Sequence, residues 1–262
     1  MELLIRRING LYAYKDLVKQ LVTKDIKLKY RRSFLGYFWS ILNPLLIMAV
    51  MVVVFSQFFR FEIDHYPVYL IIGQTLFNFM SESTGQAIYS ILGNAPLLKK
   101  VYVPKYIFTL SKVTSSLVNL LFSLGAMLIV FIASRIQFSI YMLFIPVILI
   151  ELYVFCLGLG MFLAQAAVFF RDIQYIYNVF ITVWMYLTPI FYPISILPDY
   201  VKNVIVNINP LYFYIDQFRT VVLEQQLPMM HSVAGGCIAA IIALILGIWS
   251  FLKTQDKFIL YI

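Results

Sequence analysis

Residues 141–167 read YMLFIPVILIELYVFCLGLGMFLAQAA, with Glu151 as the only charged residue in the run. About 20 consecutive apolar residues are enough for an α-helix to cross the hydrocarbon core of a bilayer. This run therefore predicts a membrane-spanning helix. Similar runs recur on both sides of it, and the sequence predicts six spans in all, at about 34–59, 68–92, 107–133, 141–167, 173–191 and 232–252.

The composition supports a membrane protein over its whole length. Of the 262 residues, 62% are hydrophobic and 12% are charged, whereas a soluble domain has roughly 25% charged residues. The formal net charge of +8 would suggest nucleic acid in a soluble protein. Here the basic residues flank apolar runs, where they set topology and meet anionic lipid. We therefore expect membrane lipid as a partner, and no nucleic acid.

The distribution of Lys and Arg predicts the orientation. If both termini are cytoplasmic, sixteen of the 20 basic residues fall on the cytoplasmic side, which leaves four outside. Such an excess marks the cytoplasmic side of multi-pass proteins. Both termini are therefore predicted to be cytoplasmic, with residues 34–262 as the transmembrane domain.

The first 33 residues precede the first predicted span and have a different pattern. Apolar residues recur at helical spacing, while Lys15, Asp16 and Lys19 project from the other side. This pattern predicts an amphipathic helix in the membrane interface. A basic flank follows it and sets topology, either alone or together with a docking role. The apolar positions are Leu11, Tyr14, Leu17, Val18 and Leu21, and the flank comprises Lys27, Lys29, Arg31 and Arg32.

Residues 192–231, between the fifth and sixth spans, contain several prolines but remain largely apolar. A solvated loop would be more polar, so short re-entrant or interfacial helices are predicted, for example at 211–223. Irregular backbone at membrane depth is tolerated where protein shields it or where it lines a cavity. We interpret the segment as an outer gate, with a simple interfacial loop as the alternative. The gate candidates are Phe191, Tyr192, Pro193, Pro210, Tyr212 and Tyr214.

The second predicted span carries polar residues every four positions, at Gln74, Asn78, Glu82 and Gln86. This spacing places them along one face of a helix. Polar side chains at membrane depth are costly against lipid, so the face is expected to meet protein or water. A channel lining and hydrogen bonding between helices both fit the pattern.

The sequence lacks the usual catalytic signatures. It contains no GxxxxGK[ST] phosphate loop, no HExxH, no GxSxG and no Cys/His cluster at metal-ligand spacing. Cys156 and Cys237 lie within apolar runs and are not expected to form a disulfide or metal site. We therefore predict a transport subunit with no catalytic residue, no metal site and no cofactor of its own.

The loop at 94–105 is short, bounded by prolines, and combines leucines with Lys99 and Lys100. Such a segment can form a brief helix that inserts into a groove on a soluble partner. A plain topological turn is the alternative. Arg171 and Asp172, at the next loop on the same side, are predicted to form an ion pair that braces the contact. The docking candidates in the loop are Ala95, Pro96, Leu97, Leu98, Lys99, Lys100, Val101, Tyr102 and Pro104.

Residues 30–45, YRRSFLGYFWSILNPL, resemble the start of the permease subunits of ABC-2 type polysaccharide exporters. That family handles O-antigen, capsular polysaccharide or teichoic acid. Further landmarks of the family follow in the same order, and the likeness extends over nearly the whole chain. They are residues 94–104, FFRD at 169–172, LTPIFY at 187–192 and NPL at 209–211.

The resemblance implies a homodimer in a bacterial plasma membrane, with two separate ATPase subunits that bind ATP and Mg²⁺. It implies an interface helix at 15–32, a coupling helix at 95–104 and gate helices within 193–227. It also implies a channel, partly lined by aromatic residues, for a lipid-linked glycan. Further residues expected to face the ATPase are Lys24, Asp25, Arg31, Arg32, Arg171 and Asp172.

Three other functions fit parts of the sequence. An ABC-2 permease for a drug or small lipid would share the fold. An ion-coupled secondary transporter would need intramembrane ionisable groups, for which Glu82 and Glu151 are the candidates. A membrane glycosyltransferase or ligase is the third possibility.

Overall fold

The computed structural model describes residues 12–29, 31, 33–55 and 63–261. All regular secondary structure in these ranges is helical, which confirms the predicted all-α class. The helices are α1 (Lys15–Lys29), α2 (Trp39–Val54), α3 (Tyr66–Ile88), α4 (Ala95–Leu98), α5 (Tyr106–Ala133), α6 (Ile145–Phe169), α7 (Ile173–Leu187), α8 (Asp199–Ile208), α9 (Pro210–Arg219), α10 (Met230–Thr254) and α11 (Phe258–Tyr261). A π-helical turn, Thr220–Glu224, follows α9.

Four helical stretches in the described part of the chain are long and apolar enough to cross a membrane. They are Gly36–Val54, Tyr106–Ala133, Ile140–Phe169 and Met230–Tyr261. The chain is therefore a multi-pass membrane protein. Helices α3 and α7 lie at the second and fifth predicted spans, but α3 carries the polar stripe and α7 has only 15 residues. The count of six spans remains a prediction.

Two helix boundaries differ from the predicted spans for local reasons. Helix α2 begins at Trp39 rather than at 34, after a turn in which Gly36 has a φ of 50°. Helix α7 ends at Leu187 rather than at 191. Because Pro189 follows it, Thr188 adopts an extended conformation with a ψ of 132°. Residues 56–59 of the first predicted span lie outside the described residues.

Helices α6 and α10 approach each other closely at two glycines. A Cβ atom on Gly247 would lie 2.1 Å from the carbonyl oxygen of Gly158, and one on Gly158 would lie 2.3 Å from the carbonyl carbon of Ala243. Small residues permit this kind of backbone contact between membrane helices. The pair α6–α10 therefore forms a seam through the bundle.

Helix α3 lies at the centre of the bundle, whereas α2 and α7 lie at its periphery. Leu70, Ile71, Ile72 and Leu76 of α3 are fully buried. No residue of α2 is buried, and α7 buries only Tyr177, whose hydroxyl shares a hydrogen bond with Thr84 of α3. Both peripheral helices thus keep most of their apolar surface uncovered within one chain.

Helix α1 packs on the end of the bundle that carries α4 and α11, which we call the terminal end. Tyr14, Leu17, Val18 and Leu21 contact a cluster that contains Phe251 and the fully buried Phe258. The predicted apolar face of α1 exists, and protein covers part of it. Leu11 lies outside the described residues. The helix continues to Lys29 without a break at Lys24 and Asp25.

Candidate functional site

The polar stripe of α3 borders two neighbouring cavities near the terminal end. Asn78 and Glu82 line a cavity of about 640 Å³ between α2, α3 and α5. Gln86 lines an adjoining cavity of about 390 Å³. Gln74 is buried, and no described residue donates to its Oε1. Asn119 of α5 and Lys29 of α1 line both cavities.

Glu82 is the centre of a hydrogen-bond network that joins three helices. Its Oε1 accepts from Lys29 Nζ at 2.8 Å, from Gln86 Nε2 at 2.9 Å and from Asn119 Nδ2 at 2.9 Å. Hydrogen bonds to an ionised group are stronger than neutral ones. The stripe therefore bonds to neighbouring helices and borders open space as well. Asn119, the partner that the stripe pattern did not include, is a polar residue within the apolar run at 107–133.

A second ion pair holds α1 against α5. Lys112 Nζ donates to Asp25 Oδ1 at 2.9 Å, and Ser115 Oγ lies 3.4 Å from Asp25 Oδ2. The Lys112 and Asp25 side chains are 25% and 18% exposed. Asp25, a docking candidate, is thus engaged within the chain. Lys24 and Arg31 are exposed, and Arg32 lies outside the described residues.

The loop at 94–105 divides its apolar residues between the core and the surface. Leu98 and Val103 are buried, while Leu97, Val101 and Tyr102 are 37%, 51% and 93% exposed. Only Ala95–Leu98 is helical, so the helix implied at 95–104 is wrong in its length. Pro104 favours an extended conformation at Val103, which limits the helix. Lys99 and Lys100 are exposed between these side chains, so the loop presents an apolar and basic surface.

The C-terminal tail, residues 255–261, packs beneath this loop at the terminal end. Lys105 Nζ donates to the carbonyl of Gln255 and lies 5.4 Å from the ring centroid of Phe258. Burial lowers the pKa of Lys105 from its usual value, and the nearby carboxylate of Asp256 opposes that shift. Phe258 shares a buried cluster with Leu98. The tail is therefore part of the support of the exposed loop.

The predicted ion pair between Arg171 and Asp172 is wrong. No salt bridge joins these two residues, which are both exposed. Adjacent side chains at the start of a helix point in different directions. Asp172 instead is the N-cap residue of α7, where its carbonyl accepts from the backbone N–H groups of Tyr175 and Ile176.

At the opposite end of the bundle, side chains bind the carbonyls of the irregular segment that follows α7. Arg219 Nη1 donates to Pro189 O at 2.8 Å, and its Nη2 donates to Ile190 O at 3.2 Å. Tyr66 donates to Phe191 O at 2.9 Å, and Tyr69 donates to Pro189 O and to Tyr192 O at 3.2 and 2.9 Å. Four successive carbonyls of this non-helical segment thus have side-chain donors, which satisfies backbone acceptors that no helix pairs.

Asn209 joins the end of α7 to the start of α9. Its Oδ1 accepts from Trp184 Nε1 at 2.9 Å and from the backbone N–H of Leu211 at 3.1 Å. Its Nδ2 donates to Thr188 Oγ1 at 2.9 Å. Asn209 is therefore the N-cap of α9 and a clamp on α7. This contact gives a physical reason for the LTPIFY and NPL landmarks to occur together.

The outer-gate candidates occupy different environments. Phe191 is buried and stacks on Phe55, with ring centroids 5.4 Å apart. Tyr214 is fully buried, and its hydroxyl donates to Gly236 O at 2.9 Å. Tyr192, Pro193, Pro210 and Tyr212 are partly buried. The helix predicted at 211–223 is Pro210–Arg219 followed by the π-helical turn, and α8 precedes it.

Glu151 lies buried between α6, α9 and α10. Its Oε2 accepts from Gln217 Nε2 at 3.1 Å, and its Oε1 accepts from Cys237 Sγ at 3.3 Å. Gln217 also donates to Ser232 O at 3.0 Å. Among the described residues no group of three His, Cys, Asp or Glu could hold a metal ion. Cys156 and Cys237 are free thiols.

Comparisons with known proteins match nearly the whole chain. The family described as ABC-2 type transporter matches residues 16–223. The O-antigen export system permease protein RfbA of Myxococcus xanthus is 32% identical over 226 residues, which cover 86% of this chain and 87% of that protein. Two proteins of the same description from Klebsiella pneumoniae are 27% and 28% identical over 244 residues, 93% of this chain and of each relative.

Proposed function

The chain belongs to the ABC-2 type transporter family, and from that premise we propose that it is the permease subunit of an ATP-driven exporter. Its cargo is O-antigen or a related lipid-linked polysaccharide that leaves the cytoplasm. The observation that carries this proposal is the 32% identity to an O-antigen export permease over 86% of the chain.

The location proposed for the chain is a bacterial plasma membrane, with both termini in the cytoplasm. The excess of Lys and Arg on that side supports this orientation. A count of six spans fits this orientation. The six are the four long apolar helices together with α3 and α7. The terminal end then faces the cytoplasm, and the segment that contains α8 and α9 lies on the outer side as the gate.

Two copies of a separate ATPase subunit, which bind ATP and Mg²⁺, dock on the terminal end. The exposed side chains of Leu97, Val101 and Tyr102, beside Lys99 and Lys100, support this role for the loop at 94–105. The loop rests on a buried cluster that also contacts α1. A motion imposed on the loop therefore reaches the helix bundle through packed side chains.

A second copy of the chain completes the transport path. Helix α2 buries no residue and helix α7 buries only Tyr177, so these two helices offer a surface for a homodimer. The cavity between α2, α3 and α5 opens beside this surface, and its polar lining suits a hydrophilic cargo. The glycan passes from this side towards the gate helices.

Two measurements test the proposed function. Deletion of the gene should abolish surface glycan without a change in drug sensitivity. Complementation with the intact gene should restore the glycan. The tagged chain, expressed with the ATPase encoded beside it, should co-purify with that ATPase and support ATP hydrolysis in lipid nanodiscs. Unchanged surface glycan in the deletion strain contradicts the cargo, and altered drug sensitivity alone favours a drug exporter.

Charge reversal at Lys99 and Lys100 tests the docking loop separately. The doubly reversed variant should purify as a folded permease but lose the ATPase, because Lys99 and Lys100 are exposed and neither forms a salt bridge with another described residue. Charge reversal at Lys202, which is exposed on α8 at the opposite end, is the matched control. Equal retention of the ATPase by both variants would place the docking surface elsewhere.

A further inference from the structure

We propose that the 640 Å³ cavity between α2, α3 and α5 is a subsite for uncharged sugar residues of the transported glycan. The inference rests on the proposed function, and it specifies where and by what chemistry the chain recognises its cargo. A volume of this size falls within the range of small-molecule sites, about 300–1,000 Å³.

The lining of the cavity matches the chemistry of a sugar ring. Asn43, Asn78 and Asn119 supply carboxamides, and Ser40, Ser81 and Ser123 supply hydroxyls. Carboxamides and hydroxyls both donate and accept hydrogen bonds, as sugar hydroxyls do. Asn43 and Asn78 are exposed on the facing helices α2 and α3. A hydroxyl-rich ligand between these helices can therefore be bound from two sides.

Asn119 provides an independent observation at this cavity. Its side chain is 6% exposed, and its Nδ2 is committed to Glu82 Oε1 at 2.9 Å. Its Oδ1 is buried, and no described residue donates a hydrogen bond to it. A buried acceptor without a donor is costly. A small shift of this side chain, which lines the cavity, would let a sugar hydroxyl supply the donor.

Trp39 supplies an apolar ring at the edge of the same cavity. Its side chain lies at the first residue of α2 and is 42% exposed. The C–H groups of a pyranose ring form an apolar face that packs on an aromatic ring, while its hydroxyls point outward. Trp39 and the asparagines therefore offer both kinds of contact that one sugar residue needs.

The charge of the cavity favours a neutral ligand over a phosphate. Lys29 and Glu82 are the two charged residues among those that line it, and their side chains form an ion pair at 2.8 Å. A phosphate would have to displace a carboxylate from Lys29 and then lie beside that carboxylate. A sugar hydroxyl can bond to Glu82 without breaking the pair, because a carboxylate has further acceptor sites.

Equilibrium dialysis of the intact permease–ATPase complex tests this inference. The probe is tritium-labelled oligosaccharide, released by mild acid from the surface polysaccharide of the cell that carries this gene. Loss of one or two hydrogen bonds should weaken binding by roughly threefold to tenfold in Asn78→Ala and Asn119→Ala. Trp39→Ala should weaken it similarly, and Trp39→Phe should retain most of it.

Two matched controls lie outside the cavity. Trp249→Ala removes a tryptophan that is 61% exposed on α10, and Gln137→Ala removes an exposed carboxamide between α5 and α6. Both should bind the probe as the unaltered complex does. Asn78 is exposed, so its variant keeps the test valid if Asn119→Ala fails to assemble with the ATPase.

Three outcomes overturn the inference. Binding that is unchanged in Trp39→Ala and Asn78→Ala excludes this cavity. Equal weakening in the control variants shows that the effect is not local. Displacement of the oligosaccharide by inorganic pyrophosphate shows a phosphate site instead. Failure of the proposed function is a separate result, because surface glycan would then persist in the deletion strain whatever the dialysis gives.

Discussion

The guanidinium carbon of Arg219 lies 3.3 Å from the centroid of the Tyr69 ring, while its Nη2 donates to the backbone carbonyl of Tyr69 at 3.0 Å. Nε also approaches that carbonyl, at 3.3 Å. The same guanidinium reaches Pro189 and Ile190, so one buried cation connects α9 to α3 and to the segment after α7. Its planar set of five donors suits this arrangement, and a lysine ammonium cannot reproduce it.

Replacement of this cation should therefore destabilise the protein. In Arg219→Lys a single ammonium cannot reach all three carbonyls. Pro189 O keeps the Tyr69 hydroxyl as a donor, but a buried acceptor left without a donor, such as Ile190 O, costs about 1–3 kcal/mol. We expect the free energy of unfolding to fall by roughly 2–5 kcal/mol. Thermal unfolding of the purified permease, followed by size-exclusion fluorescence, measures this loss. Arg135→Lys, at an exposed position, is the control, and equal melting of the two variants would contradict the prediction.

The Asn209 contacts predict a graded series. Asn209→Ala loses the cap of α9 and the bonds to Trp184 and Thr188. Loss of a cap alone costs about 0.5–2 kcal/mol. Asn209→Asp keeps the two acceptor contacts but not the donor to Thr188, so its loss should be smaller.

The same thermal unfolding assay separates these two variants. Asn207→Ala is the control, because Asn207 is exposed on α8 and donates only to Asn203 O, at 2.7 Å, among the described residues. An aspartate variant as unstable as the alanine variant would show that the donor to Thr188 dominates. Equal stability of all three variants would show that Asn209 does not stabilise the contact between α7 and α9.

The sequence was sufficient to predict the long apolar helices, because local patterns determine them. Apolar runs predicted α5, α6 and α10 to within a few residues, and Pro189 lies where α7 stops. The ion pairs between helices were not predictable from such local patterns. Lys29 and Glu82 are 53 positions apart and Asp25 and Lys112 are 87 apart, and hydrophobic periodicity carries no information about which such residues meet.

The sequence likewise could not predict which side chains of the loop at 94–105 are buried. Leu97 and Leu98 are chemically identical, yet the first is 37% exposed and the second 8% exposed. The difference depends on the buried cluster beside Leu98, whose members Phe251 and Phe258 come from the far end of the chain. The predicted topology places Arg219 among the four basic residues on the outer side, which are Arg60, Arg135, Lys202 and Arg219. Only the tertiary structure brings Arg219 to the carbonyls after α7.

The contact between Gly158 and Gly247 predicts intolerance of any side chain. In Gly158→Ala the new methyl would meet the backbone of α10 at 2.3 Å, where no flexible side chain can move aside. The two helices would have to separate, and overpacking of this kind costs about 1–3 kcal/mol or more. We expect a lower melting temperature and a smaller yield of folded permease.

Gly85→Ala is the matched control for this prediction. Gly85 also lies within a long helix, α3, but a Cβ there meets nothing within 4 Å. Alanine should stabilise a helix by about 0.5–1 kcal/mol relative to glycine. The two substitutions should therefore shift the melting temperature in opposite directions. A shift of the same sign and size in both would mean that the seam between α6 and α10 can open at little cost.

Asp25 and Lys112 form an ion pair. We therefore expect that exchanging the two residues will rescue the defect caused by reversing either charge alone. Asp25→Lys places two cations together between α1 and α5, and Lys112→Asp places two carboxylates there. Each single variant should reduce export of surface glycan, because α1 loses its polar anchor next to the docking surface. The double variant restores opposite charges and should recover export.

A partly exposed pair of this kind has a coupling energy of roughly 0.5–1 kcal/mol, which a double-mutant cycle on thermal unfolding measures. If the double variant exports no better than either single variant, the individual residues rather than their pairing hold α1, and the anchoring role of the ion pair is wrong.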